Sequence, residues 1–362
     1  MKYLNIQILR AFAAALVVYV HAIKTYEEKI GSVTENLTSD LGDLGVKLFF
    51  CISGFIIFNS SSKLPGGLPS ATEFFFKRCI RIIPLYWAAT LVYAIKLGFQ
   101  GNAPSMADLL RSLLFIPYLG EQGLMRPVLG QGWTLNFEML FYVMTAMLLL
   151  SRSRFRYHAL VAGLAIVSVS GNWLPSAGKS AFFDVSLVTT DLLLFFISGL
   201  MVGMYSSSLK TSWVRCPFGK LPPLSVALAA MTIAAVVPMV SGGTQFEAFN
   251  FWIELIFCTV AVYAAVIPKN KTVFAKPGKI QMLFINAGDG SYSTYLLHGF
   301  LMGTSARLIS LLHIDISVYL FSFLMVIFST IVGYFSYKYL ELPAQRALSS
   351  ILNIKIRLLK TV

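Results

Sequence analysis

The sequence predicts an all-α, polytopic integral membrane protein of about ten transmembrane helices, and three observations carry that expectation. Of 362 residues, 57% are apolar and only 12% charged, with a mean hydropathy of +0.73, far outside the range of a soluble domain of this size. The apolar residues fall into runs of roughly twenty, the length that crosses a bilayer as a helix. The basic residues lie in short clusters between those runs, as membrane orientation requires. Backbone groups in lipid must be satisfied internally, so a bundle of helices is the expected architecture. The net charge of +13 is thereby assigned to orientation, and no nucleic-acid partner is expected.

The predicted spans are 5–24, 42–60, 82–98, 132–150, 157–173, 187–205, 223–240, 250–267, 289–311 and 316–338. The first is too long for a signal-peptide core, and no A-x-A-like site follows Ala22, so it is read as an uncleaved span. The second contains "FFCISGFI", where Ser53 and Gly54 permit close helix approach. The third follows the basic stretch "KRCIRIIPLYW". Between it and the fourth lies "MADLLRSLLFIPYL", Met106 to Leu119, which is short and punctuated by Pro117. It is read as an interfacial or re-entrant segment within an outer loop 99–131.

The later spans are separated by basic loops with Arg152, Arg154 and Arg156, then Lys210, Arg215 and Lys220, then Lys269, Lys271, Lys276 and Lys279. Placing both termini in the cytoplasm puts 21 of the 29 basic residues inside and 8 outside, which satisfies the positive-inside rule. Residues 1–345 form one transmembrane domain, and 346–362 a short basic cytoplasmic tail. The cysteines Cys51, Cys79, Cys216 and Cys258 show no paired or metal-type spacing and are read as free thiols, with no metal site.

Several spans carry polar groups. Arg10 and His21 lie eleven residues apart on the first span, about 16 Å along the axis and on one face. Arg10 is expected near the cytoplasmic end and His21 in the outer third, either as interface anchors or as a functional stripe. "GWTLNFEMLFY" opens the fourth span and sets Glu138 six residues in, roughly 9 Å below the outer end. A carboxylate there marks a function by default. His21 and Glu138 could meet as base and orienter, or as a structural pair joining two spans. Arg78 and Arg81, three apart at the foot of the third span, suit phosphate oxygens, or serve as a positive-inside anchor. Ser291, Tyr295 and His298 share one face of the ninth span; they are interior or interface groups, or donors to substrate.

These stretches together resemble the acyltransferase-3 family of membrane acyltransferases. The resemblance rests on six motifs in order: R-x10-H at Arg10 and His21, FFxxSGF at Phe49 to Phe55, and RxxRxxPxYW at Arg78 to Trp87, followed by WTLxxE at Trp133 to Glu138, SYSxYLLH at Ser291 to His298, and YxxLExPxxR at Tyr337 to Arg346. It covers nearly the whole chain, and "IQILRAFAA" is most similar to the exopolysaccharide (succinoglycan-type) acetyltransferase branch.

The resemblance implies transfer of an acyl group, usually acetyl, from cytoplasmic acyl-CoA (acetyl-CoA) to a sugar hydroxyl of an extracytoplasmic polysaccharide or lipid-linked saccharide, at the bacterial inner membrane. Some members append an extracytoplasmic hydrolase-like domain; these 362 residues contain none, so outer loops and bundle are expected to bind the acceptor. On this reading His21 is the general base and Glu138 orients it. Arg78, Arg81 and Arg10 hold the CoA phosphates, and Ser291, Tyr295 and His298 are candidate oxyanion or substrate contacts. Direct transfer and an acyl-His21 intermediate both fit. The rival from another class is a transporter or flippase of a lipid-linked saccharide, against which stands the lack of an inverted repeat. A scaffold for a polysaccharide synthase is the third reading, and the oligomeric state is not legible.

Overall fold

The computed structural model describes residues 3–31, 39–118, 127–170, 191–215, 223–241, 247–267 and 277–360. Among them are thirteen α-helices and one π-helical turn, and no strand. In chain order these are α1 Leu4–Lys29, α2 Ser39–Ser61, α3 Leu68–Phe99, α4 Met106–Leu113, α5 Gly132–Leu150, α6 Arg156–Ser170 and α7 Leu192–Arg215. Then follow α8 Pro223–Ser241, α9 Glu247–Val266, α10 Lys279–Asp289, α11 Ser291–Leu311, α12 Val318–Ser336, the π turn Tyr337–Glu341 and α13 Leu342–Lys360.

Six stretches are long and apolar enough to cross a membrane: Leu4–Lys29, Leu41–Ser61, Leu68–Phe99, Gly132–Leu150, Ala248–Val266 and Val318–Leu352. Shorter apolar helices occupy Arg156–Ser168, Leu192–Ser206 and Leu224–Val237, at the predicted fifth, sixth and seventh spans. The more polar α11 covers the predicted ninth. The protein is a multi-pass membrane protein. Cys216, Lys220, Lys269, Lys271, Lys276 and loop positions 119–126 lie outside the described residues.

Two compact units share the chain: Met1–Phe55 with Ser198–Tyr337, and Ile56–Ile197 with Lys338–Val362. In the first, α1 is central and packs against α9, α10, α11 and α12. Its apolar face buries Val18 and Ala22 with Met302, Ala306, Phe321 and Met325. The Tyr26 hydroxyl donates to the Ile316 carbonyl at 2.8 Å and ties the end of α1 to the turn after α11. Backbones approach closely where side chains vanish: a Cβ at Gly288 would lie 1.8 Å from the Gln7 carbonyl oxygen, and one at Gly199 1.7 Å from that of Cys51. A partly buried ion pair, Lys47 Nζ to Glu254 at 2.7 Å, joins α2 to α9.

Residues before 289 fall outside the predicted spans, yet α10 is an eleven-residue helix packed along α1. Its Ile280, Met282, Leu283 and Phe284 are exposed, so it is a surface helix. α13 follows α12 through the π turn and packs on α3.

In the second unit α3 and α5 run antiparallel. The Gly67 N–H donates to the Leu149 carbonyl at 2.7 Å, Arg156 Nη2 to the Leu64 carbonyl at 2.8 Å, and the Tyr157 hydroxyl to Ser61 Oγ at 2.9 Å. The turn after α2 therefore meets the end of α5, which requires an even number of crossings between them. Helices α3 and α5 supply two. The eight-residue α4 is about 12 Å long and does not cross. It folds back on the middle of α3, where Tyr86 donates to the Ser112 carbonyl at 3.2 Å and Trp87 Nε1 to that of Leu113 at 2.8 Å. Ser105 caps it by accepting from the Asp108 N–H at 3.0 Å. Ser112 Oγ also accepts from the Val128 N–H at 2.9 Å and pairs with the Tyr118 hydroxyl at 3.1 Å, so Tyr118 and Val128 both return to one serine.

Candidate active site

The first unit brings His21 and His298 together. His298 Nε2 lies 2.9 Å from His21 Nδ1, and the ring planes are within 14° of parallel. His298 Nδ1 lies 2.6 Å from the Tyr295 carbonyl oxygen. A carbonyl has no proton to give, so Nδ1 of His298 is the donor and carries the hydrogen. With both rings neutral, Nε2 of His298 is then a lone pair, and His21 Nδ1–H donates to it. What remains is Nε2 of His21, with its lone pair unshielded by the dyad. His298 is 1% exposed, while His21 is exposed. A buried imidazole thus fixes the tautomer of an accessible one, the geometry a general base requires.

Local sequence explains the placement. α1 runs five residues past its predicted end at 24, to Lys29, so His21 stands eight residues, about 12 Å, before the end of that helix. Its partner His298 stands thirteen residues before the end of α11, about 20 Å along the axis. The dyad is therefore deep in the helix pair. α11 packs parallel to α1, with Gly288 against Gln7 fixing the register, so Ser291 falls near the Arg10 level, two turns from His298. Ser291 is fully buried, and its Oγ finds no hydrogen-bond partner among the described residues. Tyr295 contributes its carbonyl to His298 and packs its ring edge-on to Phe49, centroids 6.1 Å apart. Arg10 is 8% exposed, and its Nη1 donates to Gln7 Oε1 at 3.3 Å.

The second unit holds Glu138. The Tyr142 hydroxyl, one turn on along α5, donates to Glu138 Oε1. Arg78 lies over the Phe74 and Tyr142 rings, at 5.6 and 5.7 Å, and donates to Ser60 Oγ. Glu138 and Arg81 are within electrostatic reach of the same guanidinium. α3 begins at Leu68, fourteen residues before the predicted span, because "LPSATEFFFK" continues the helix. Arg78 and Arg81 consequently sit well inside α3 and not at its foot. Gly67 is level with Leu149, and Arg78 and Glu138 are each eleven residues along from that level, about 16 Å. Tyr142 was legible as the i+4 neighbour of Glu138; Ser60 was not, since only tertiary packing brings it to Arg78.

Residues 3–338 match the family model described as an acyltransferase domain. The chain belongs to the acyltransferase-3 family. This acyltransferase is 30% identical over 315 residues to the exopolysaccharide production protein ExoZ of Rhizobium meliloti (strain 1021), covering 84% of this chain and 90% of that protein. It is 29% identical over 195 residues to nodulation protein 10 of Rhizobium leguminosarum bv. viciae, covering 47% of this chain and 50% of that one. No solved structure matches the acyltransferase chain. Two of its six motifs, R-x10-H and SYSxYLLH, supply the two halves of the histidine dyad, and two others, RxxRxxPxYW and WTLxxE, supply the Arg78–Glu138 centre.

Proposed function

We propose that this acyltransferase moves an acyl group, acetyl in the simplest case, from cytoplasmic acyl-CoA to a hydroxyl of an extracytoplasmic polysaccharide or lipid-linked saccharide. We place it in a bacterial inner membrane with both termini in the cytoplasm. The His21–His298 dyad carries this reading. His21 Nε2 takes the proton of the sugar hydroxyl as that oxygen attacks the thioester carbonyl; the C–O bond forms and the C–S bond breaks. The imidazolium then returns its proton to the departing thiolate, which leaves as free CoA thiol. His298 positions His21 by accepting its Nδ1–H, the part first given to Glu138. Glu138 instead holds Tyr142 and Arg78, and Arg78, Arg81 and Arg10 are the cations offered to the donor. Kinship with a protein named for exopolysaccharide production supports a carbohydrate acceptor.

The test is thiol release by purified, lipid-reconstituted protein given acetyl-CoA with and without a glycan acceptor. Acceptor-dependent release that vanishes in His21→Ala is expected. Release independent of His21, or glycan movement across the bilayer without release, overturns the proposal.

A further inference from the structure

A second cationic centre lies at the other end of α3 and takes no part in the chemistry above. Gly66 and Gly67 have φ of +93° and +86°, a region that favours glycine. A Cβ at Gly66 would stand 2.8 Å from the Ser151 carbonyl oxygen and 3.1 Å from Arg156 Nη1. At Gly67 a Cβ would stand 3.6 Å from both Nε and Nη2 of Arg152. Two guanidiniums thus flank a turn stripped of side chains, and Lys63 lies in the same turn. Arg152 and Arg156 pair with no carboxylate among the described residues, and Glu73, further along α3, is held by Lys77 at 2.7 Å. Like charges kept together without a counter-charge are stabilised by an anion, and planar guanidiniums match phosphate oxygens.

We propose that the Gly66–Gly67 turn, with Arg152 and Arg156, binds phosphate esters and receives the phosphorylated adenosine end of the acyl-CoA donor. This rests on the reading of the donor given above. The spacing within the unit supports it: the turn lies about 16 Å of helix rise from Arg78 and Glu138, and an extended pantetheine arm is on the order of 15–20 Å, about that same rise of eleven residues. Phosphates at the turn would leave the thioester at the Arg78–Glu138 level, so that Arg78 and Arg81 meet the acyl end of the donor and not its phosphates. An anionic lipid headgroup offers the same chemistry.

The test compares wild type with Arg152→Ala, an exposed position, in phosphatidylcholine nanodiscs by calorimetry. CoA binding is expected to weaken about tenfold or more in the variant, the loss of a charge-assisted contact, whereas pantetheine, which has no phosphate, binds both alike. Arg152→Lys should recover part of the loss, and Gly67→Ala should weaken CoA binding by filling the space beside Arg152. An unchanged CoA Kd in Arg152→Ala overturns the proposal, as does an equal loss for pantetheine. A variant altered only in its association with phosphatidylglycerol nanodiscs assigns the turn to lipid and overturns it too. If wild type releases thiol with acceptor while the variant binds CoA normally, only this site fails; if wild type neither binds CoA nor releases thiol, the donor reading fails with it.

Discussion

Replacing His298 separates a positioning imidazole from a merely packed one. In His298→Leu the side chain keeps much of its bulk but offers no acceptor to His21 Nδ1–H, across what is now a 2.9 Å bond. A neutral hydrogen bond contributes about 0.5–1.5 kcal/mol, which at 1.36 kcal/mol per decade is about 2- to 13-fold in rate. The larger effect is on the tautomer. Without the acceptor, His21 also populates the form with hydrogen on Nε2, which cannot take a proton, so part of the about 10²–10⁴-fold general-base contribution is lost. We expect kcat to fall about 10- to 100-fold, between the single-bond loss and loss of the base, with KM for acyl-CoA little changed. His298→Gln, whose amide oxygen can accept from Nδ1, should recover much of the rate, and the acid limb of the pH–rate profile should move in the leucine variant. The assay is acceptor-dependent thiol release across pH, with thermal unfolding measured beside it because His298 is buried. A leucine variant with wild-type kcat and an unmoved pH profile refutes the relay.

His21→Ala should lower turnover by about 10²–10⁴-fold, the size of a general-base contribution, with membrane insertion intact by protease protection. Glu138→Gln should also abolish acylation, by releasing Tyr142 and leaving Arg78 without its carboxylate; near-normal thiol release would remove Glu138 from the mechanism. Lys47→Met alone should cost up to about 3–5 kcal/mol by removing the cation held against the buried Glu254, while the double change Lys47→Met with Glu254→Leu should restore most of it; fluorescence-detected thermal unfolding reads both. Gly288→Ala should reduce the folded yield in size-exclusion chromatography, because its Cβ would meet the Gln7 carbonyl oxygen at 1.8 Å. Gly163→Ala, with nothing within 4 Å, should not.

Composition and the spacing of apolar runs determined, from sequence alone, that the chain is helical and multi-pass, because lipid leaves the backbone no other solution. The same pattern kept Met106–Leu119 from being a span, since its length falls short whatever surrounds it. Motif order pointed to the family and to both halves of each polar centre, because residue type and helical spacing are local properties. Tertiary structure alone decided the pairings. His21 and His298 are 277 residues apart, and no local signal states that α1 and α11 run side by side in that register. Gly288, just before α11, sets it, by letting the backbone approach Gln7 of α1 where any side chain would clash. Helix ends were equally beyond the sequence. α1 and α3 continue past the bilayer-length windows, since polar and charged residues lengthen a helix as well as apolar ones once packing holds it. That extension moved Arg78 about 15 Å into its helix and turned an expected surface clamp into an interior partner of Tyr142 and Glu138.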